Sequence, residues 1–181
     1  MIKVFFSLSV CLLLISSCTT GEYETIEIIG KDPTTSEVRI RGMGVRLPGR
    51  AILTSDHVVR GGMRYEVGGM NYDLVESDVG GDRAILSRIQ DRELRIQDVL
   101  KNRNQIGKGD PIYTEVSRSG SIVRQVGKVV DPSGSIVGYD TTGRVVTLSG
   151  IVLTDLDILP GDSGAPIFTL DRELVDVVHV R

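Results

Sequence analysis

From residue 23 onward, apolar and polar positions alternate with a period of two, broken every few residues by glycine, proline or small polar clusters. Such a pattern predicts short half-buried β-strands joined by tight turns. A first set of strands is expected over residues 24–28, 37–41 running on through 42–45, 50–54, 65–67, 70–75 and 83–87. Pro48-Gly49 and Gly68-Gly69 supply turns within it. Residues 91–104 are charged and lose the period. They read as a connection, with a helical turn around 96–101. A second set follows over 111–116, 122–130, 135–139, 144–148, 151–154, 165–170 and 174–180. Its turns are placed at Ser119-Gly120, Pro132-Ser133-Gly134 and Thr141-Thr142-Gly143. Many short strands at this spacing predict an all-β sandwich or barrel architecture.

Composition narrows the picture. The chain has 181 residues, enough for one domain or two small lobes with a real core. Its formal net charge is −3, so there is no basic footprint for nucleic acid. No metal-ligand spacing or phosphate-cradling loop is present, and no cofactor is expected. The two cysteines, Cys11 and Cys18, both precede the strands, so packing and not a disulfide framework must stabilise the fold.

The N-terminus reads as an address. Met1-Ile2-Lys3 is a short positive start, and residues 4–15 form an apolar run of signal-peptide length, too short to span a bilayer as a mature helix. Ile15-Ser16-Ser17-Cys18 resembles the lipobox of bacterial lipoproteins. That resemblance implies cleavage after residue 17, acylation of Cys18 and attachment to the membrane of the cell envelope. Thr19 in place of aspartate would favour the outer membrane in a Gram-negative host. Residues 1–17 are thus expected to be the signal peptide and 18–22 the acylated terminus and linker.

Chemistry concentrates at Leu159-Pro160-Gly161-Asp162-Ser163-Gly164-Ala165-Pro166. Glycines here allow a strained loop and close approach to the main chain. In such a loop the amides of Gly161 and Ser163 can point at one spot and stabilise negative charge on an oxygen. Taken alone, the stretch reads equally well as a Gly/Pro turn between strands. His57, in Leu53-Thr54-Ser55-Asp56-His57-Val58-Val59, lies directly after a strand. Asp82 opens Asp82-Arg83-Ala84-Ile85-Leu86, with Asp73 and Asp78 as alternative acids nearby.

These three stretches, in the order His57, Asp82, Ser163, resemble the histidine, aspartate and Gly-Asp-Ser-Gly motifs of the trypsin-like serine proteases. The lead-in Thr154-Asp155-Leu156-Asp157-Ile158-Leu159-Pro160-Gly161 resembles that of bacterial periplasmic proteases of the high-temperature-requirement type. Those carry a peptide-binding PDZ domain after the protease, for which this chain has no room. The resemblance runs from about residue 37 to 180. It implies two antiparallel β-barrels of the six-stranded type, with the active site in the cleft between them. The first would span about 23–90, the connection 91–105 and the second barrel 106–181, all within one domain over 23–181. It further implies Ser163 as nucleophile, His57 as base, Asp82 as its orienting acid, and an oxyanion hole at Gly161 and Ser163. Arg83 departs from the pattern, since an apolar residue normally follows the aspartate.

Two residues bear on substrate choice and point in different directions. Asp157, six residues before Ser163, matches the aspartate that selects Lys or Arg at P1. His179 resembles the histidine by which glutamyl endopeptidases and some viral proteases recognise Glu or Gln. The family pattern continues beyond Arg181 through a further strand and a helix, so the second barrel is expected to be incomplete on one side of its pocket. Two functions follow: a membrane-anchored endopeptidase acting on proteins or peptides, or a non-catalytic lipoprotein that binds a peptide or protein through the same fold.

Overall fold

The computed structural model describes residues 23–59, 62–88, 94–139 and 144–179. Cys18 and the rest of the expected signal and linker lie outside these residues, as does the turn expected at 141–143. Six strands form a closed barrel in the order β1-β2-β3-β6-β5-β4: β1 (Glu24–Lys31), β2 (Val38–Arg46), β3 (Ile52–Thr54), β4 (Arg64–Val67), β5 (Met70–Asp78) and β6 (Arg83–Ser87). Antiparallel pairing of β1 with β4 closes the ring. A single helical turn, α1 (Ile96–Val99), and a 3-10 turn over Lys101–Gln105 make the connection. The second lobe is a five-stranded antiparallel sheet in the order β11-β10-β7-β8-β9. Its strands are β7 (Pro111–Arg118), β8 (Ser121–Tyr139), β9 (Val145–Thr154), β10 (Pro166–Thr169) and β11 (Leu174–Val177). The all-β, two-lobed expectation holds, with the first barrel closed and the second nearly so.

The period of two explains how one strand serves two cores. Successive side chains of a strand point to opposite faces. In β6, Ala84 and Leu86 face the interior of the first barrel with Ile28, Ile52 and Val58. Ile85, between them, faces the other way and packs with Tyr113, Phe168, Leu174 and Val177 of the second lobe. All five residues of β6 are therefore buried, including Arg83 and Ser87. The same split puts Ile52 of β3 in the barrel and Leu53 in the interlobe cluster.

Two sequence expectations are corrected. The turn expected at Pro132-Ser133-Gly134 does not separate two strands; β8 runs through it. The register against β9 jumps from Asp131↔Leu153 to Gly134↔Ile151, so Pro132 and Ser133 sit in a bulge. A bulge tolerates a residue with no N–H to give to the ladder. The Asp131 carboxylate accepts the Ser133 N–H at 2.9 Å and fixes the local kink. Likewise the separate strands expected over 144–148 and 151–154 form one strand, β9.

The second sheet is not closed by main-chain pairing between its outer strands β9 and β11. Side chains bridge them instead. Asp176 of β11 accepts the Val152 N–H of β9 at 3.0 Å, and Arg83 of the first barrel donates to Gly150 O at 2.7 Å. The Ser149 N–H reaches Gly80 O at 3.0 Å, so β9 is also tied to the turn that leads into Asp82.

Candidate active site

The first lobe presents His57 on a 3-10 turn, Asp56–Val58, directly after β3. Asp82 stands one residue before β6, the strand paired to β3, so sheet neighbours deliver the two side chains to one place. His57 Nδ1 donates to Asp82 Oδ2 at 2.7 Å. The other carboxylate oxygen, Oδ1, accepts the His57 backbone N–H at 3.0 Å, and Asp82 O accepts the Asp56 N–H at 3.1 Å. One residue therefore holds both the ring and the turn that carries it. Asp82 does so at a backbone φ of +52°, a left-handed conformation that aspartate tolerates better than most side chains. Of the alternative acids, Asp78 accepts the Gly81 N–H and pairs with Arg83, and Asp73 pairs in β5 opposite Ser87.

The second lobe delivers Ser163 on the loop before β10. Ser163 O accepts the Met43 N–H at 2.7 Å, and Gly164 N–H donates to Val178 O at 2.9 Å. The Ser55 hydroxyl reaches the same Val178 carbonyl at 2.8 Å. Gly164 sits at φ +87°, and a methyl group there would lie 2.0 Å from Met43 O and 2.3 Å from Thr54 Oγ1. Only glycine admits this approach of the loop to the first barrel. Gly42 sits where Val58, the residue after His57, and the Ser163 carbonyl converge: a Cβ there would lie 2.7 Å from one and 3.2 Å from the other. The serine loop is thus seated on the same corner of the first lobe that carries His57.

That loop has its own clamp. Both terminal guanidinium nitrogens of Arg118, at the end of β7, donate to the Asp162 carboxylate, one of them at 2.6 Å. Asp162 Oδ2 also accepts the Leu159 N–H at 2.7 Å, and Leu159 O accepts the Asp162 N–H at 3.0 Å. Bidentate Arg–carboxylate pairs fix geometry as well as charge, so the backbone on either side of Gly161 is braced before any ligand arrives.

Behind Asp82 lies a group of charges that includes Arg83, the departure from the family pattern. Asp176 is fully buried in β11, and Arg83 Nε and Nη2 donate to its two oxygens at 2.7 and 2.8 Å. His179 stands between the two carboxylates, with Nδ1 3.4 Å from Asp82 Oδ2 and Nε2 3.5 Å from Asp176 Oδ1. Burial opposes charge on Asp82, but His179 and His57 overcome it and hold Asp82 well below the ordinary carboxylate range. Burial likewise opposes charge on Asp176, and Arg83 and His179 hold it low. For His179 burial disfavours the cation, yet Asp176 and Asp82 outweigh it and raise its proton affinity. The expected place of His179 in a substrate pocket is not where the structure puts it. Its side chain is 2 % exposed and faces the acid, because the end of β11 runs under Asp82. Asp157 is exposed on the loop ahead of Leu159, near enough to Arg118 to strengthen its charge. Among the described residues no cluster of metal-binding side chains occurs, and no helix is long and apolar enough to cross a membrane.

No family model matches the chain. It is 28 % identical over 148 residues to the serine protease Do-like HtrA of Bacillus subtilis, covering 72 % of this chain and 30 % of that protein. The chain thus spans under a third of this relative's length. Among solved structures, the Rv3671c protease of M. tuberculosis in its active form superposes with a TM-score of 0.58 at 18 % identity, covering 85 % of this chain and 68 % of that one. Deg5 gives a TM-score of 0.58 at 21 % identity over 84 % of this chain and 77 % of its own. The fold is that of the trypsin-like serine proteases. Within this fold, the MamO protease domain of Magnetospirillum magneticum is a further neighbour, with a TM-score of 0.55 at 13 % identity, covering 84 % of this chain and 82 % of that domain.

Proposed function

We propose that the protein is a serine endopeptidase of the bacterial cell envelope, with Ser163 as nucleophile, His57 as general base and Asp82 as the acid that orients it. The observation that carries this reading is the two-point grip of Asp82 on His57, at 2.7 Å to the ring and 3.0 Å to the backbone. A serine hydroxyl is a weak nucleophile and needs an adjacent base that is unprotonated near neutral pH. With Nδ1–H committed to Asp82, the free lone pair of His57 is on Nε2, the nitrogen that takes the Ser163 proton. Attack on a peptide carbonyl then gives a tetrahedral oxyanion, which the amides of Gly161 and Ser163 stabilise. Collapse expels the amine with the proton returned by His57, and water releases the acyl group by the same steps in reverse order. Asp82 stays ionised throughout and stabilises the His57 cation as it forms.

Acylation of Cys18 would tether this domain to the membrane and restrict it to protein or peptide substrates of the envelope. Exposed Asp157 is the candidate for selecting a basic P1 residue. Replacement of Cys18 by serine should move the protein from the membrane to the soluble fraction and remove the acyl mass. The decisive test of the catalytic reading is labelling with a fluorophosphonate: wild-type protein labels at Ser163 and Ser163→Ala does not. A folded, β-rich protein that never labels refutes it and leaves the non-catalytic peptide-binding function in its place.

A further inference from the structure

Every second residue of β8 from 122 to 130 shares one face of the strand, and these five read Ile-Arg-Val-Lys-Val. Ile122, Val126 and Val130 are 51 %, 68 % and 46 % exposed. Eight residues at about 3.3 Å each make a strip about 26 Å long. A row of apolar side chains rimmed by polar ones marks a place where something docks. Cross-strand partners share a face, and Val126 stands opposite Tyr113 of β7, Arg124 opposite Glu115. Tyr113 belongs to the interlobe cluster with Phe168, Val45 and Leu53, whereas no described residue of β8 does. The first lobe therefore covers this face of the second sheet over β7 and β10 and leaves it open over β8.

We propose that this strip of β8 is the face that the domain lays on a lipid bilayer, with Ile122, Val126 and Val130 in the boundary between headgroups and acyl chains and Arg124 and Lys128 among the lipid phosphates. The proposal rests on the reading of Cys18 as the acylated residue and says which side of the domain that anchor turns to the membrane.

The path of the chain selects this occupant. Tyr23 packs on Phe168 with ring centroids 5.6 Å apart, and its carbonyl accepts from Arg172 at 3.0 Å. Tyr23 and Ile122 line the same groove, of about 440 Å³. The domain thus begins at the edge of the strip. Five peptide steps join Cys18 to Tyr23. An extended chain spans at most about 3.5 Å per residue, so Tyr23 stands within about 18 Å of an acylated terminus. A domain of this length has a radius of gyration of about 15 Å and is about 40 Å across. Its far side cannot reach the bilayer, and the surface around Tyr23 is held against it. Charge agrees with this placing. The chain as a whole has a formal net charge of −3, yet this face of β8 carries cations and no acid. Glu115, opposite Arg124, is taken up by the Thr25 hydroxyl at 2.7 Å and by Arg124 at 3.3 Å. Lys and Arg stems lie along apolar surface while their heads reach the polar level, the arrangement that suits an interface with anionic lipid phosphates.

The chain has no tryptophan, so a single introduced indole reports its own surroundings. Full-length Val126→Trp is reconstituted into vesicles of phosphatidylethanolamine and phosphatidylglycerol, with and without bromine on the upper acyl chains. Val38→Trp controls for the affinity of the indole itself for lipid. Val38 is exposed and pairs with Lys31, at the far end of β1 and about 23 Å along it from the start of the domain. Both substitutions are at exposed positions, and far-UV circular dichroism checks the fold. Val126→Trp should shift to the blue and lose about half of its emission or more to bromine, since an apolar face seats about 5–10 Å into the boundary. Val38→Trp should do neither. Equal quenching at the two positions overturns the proposal. So does a blue shift in Val126→Trp that bromine leaves unquenched, which puts a second protein molecule on the strip in place of lipid. Mass spectrometry of the same samples reads the acyl group on Cys18. An acylated protein whose Val126→Trp stays unquenched keeps the anchor and loses the docking face. An unacylated protein that is quenched on addition of vesicles keeps the face and loses the anchor, and one that is not quenched loses both.

Discussion

The contact between Arg83 and Asp176 offers the sharpest measurable consequence of this structure. Both side chains are buried, at 5 % and 0 % exposure, and they meet through two hydrogen bonds of 2.7 and 2.8 Å. Replacing Arg83 by methionine leaves the Asp176 carboxylate in the core with two backbone N–H donors and with His179 and Arg103, more distant at 3.5 and 3.7 Å, as the cations beside it. Removing one partner of a buried pair costs about 3–5 kcal/mol, because the survivor keeps its desolvation penalty. That is a large share of the roughly 5–15 kcal/mol that holds a domain together. Asp176→Leu strands Arg83 and also orphans the Val152 N–H, which it accepts at 3.0 Å, a further loss of about 1–3 kcal/mol. The double variant removes both charges. It should cost less than the sum of the single changes by about 2 kcal/mol or more, since neither charge is left uncompensated. Equilibrium urea unfolding followed by far-UV circular dichroism reads this directly. At about 2 kcal/mol per molar urea, Arg83→Met should lower the midpoint by about 2 M. Additive single changes, or a loss below about 1 kcal/mol for Arg83→Met, would show that the pair does not clamp the lobes.

Three further outcomes follow from the same geometry. Asp82 and Asp176 titrate below their unfolded range, so their stabilisation is full above about pH 4 and is lost as pH falls below it; His179 titrates above its unfolded value, so its contribution is full below about pH 6.5 and is lost as pH rises through the folded value. Urea midpoints measured from pH 3 to 9 should therefore peak between about 5 and 6.5, and the alkaline slope, up to about 1.4 kcal/mol per pH unit, should vanish in His179→Ser. Gly164→Ala forces a methyl group onto Met43 O and Thr54 Oγ1 and should abolish Ser163 labelling by displacing the loop; labelling at the wild-type rate would refute the close approach. Arg118→Ala frees Asp162 and loosens the Ser163 loop, so labelling should slow by about 10- to 100-fold; labelling at the wild-type rate would refute the clamp.

The strand positions were legible because alternation and turn residues carry them. Val38 to Arg46 and Arg83 to Ser87 are strands for the reason their side chains suggest. The bulge at Pro132 was not legible, since proline, serine and glycine in succession describe a turn as well as they describe two residues looped out of a ladder. The difference lies in β9, which keeps pairing with β8 on both sides of it. The closeness of His57 and Asp82 could be anticipated from motif order, and the pairing of β3 with β6 supplies its physical cause. The place of His179 could not. A histidine closing an apolar run looks the same whether it faces a substrate or a carboxylate. Which way it faces depends on how β11 pairs with β10 and how the first lobe docks on it. The sequence signal for this group is Asp176, a charged residue inside Leu174-Val175-Asp176-Val177-Val178, because a charge in the middle of a buried strand requires a partner. Arg83, at the start of β6 in the other lobe, is that partner.

The structure thus makes one group of side chains answer two needs. A sheet whose outer strands β9 and β11 do not pair through their backbones must satisfy those strands some other way, and Asp176 does so by taking Val152 N–H from one strand while sitting on the other. A carboxylate buried there demands a cation, and the first lobe provides Arg83. Asp82 directly precedes Arg83, so the clamp that joins the lobes also fixes where Asp82, the proposed partner of His57, stands. His179 then spans the remaining distance between the two carboxylates. A substitution that weakens the Arg83–Asp176 pair shifts the charge felt by His179, which stands against Asp176 and Asp82 alike. Variants of Arg83 should therefore change the rate of fluorophosphonate labelling at Ser163 as well as the urea midpoint, a pairing that measurement of both in one variant checks.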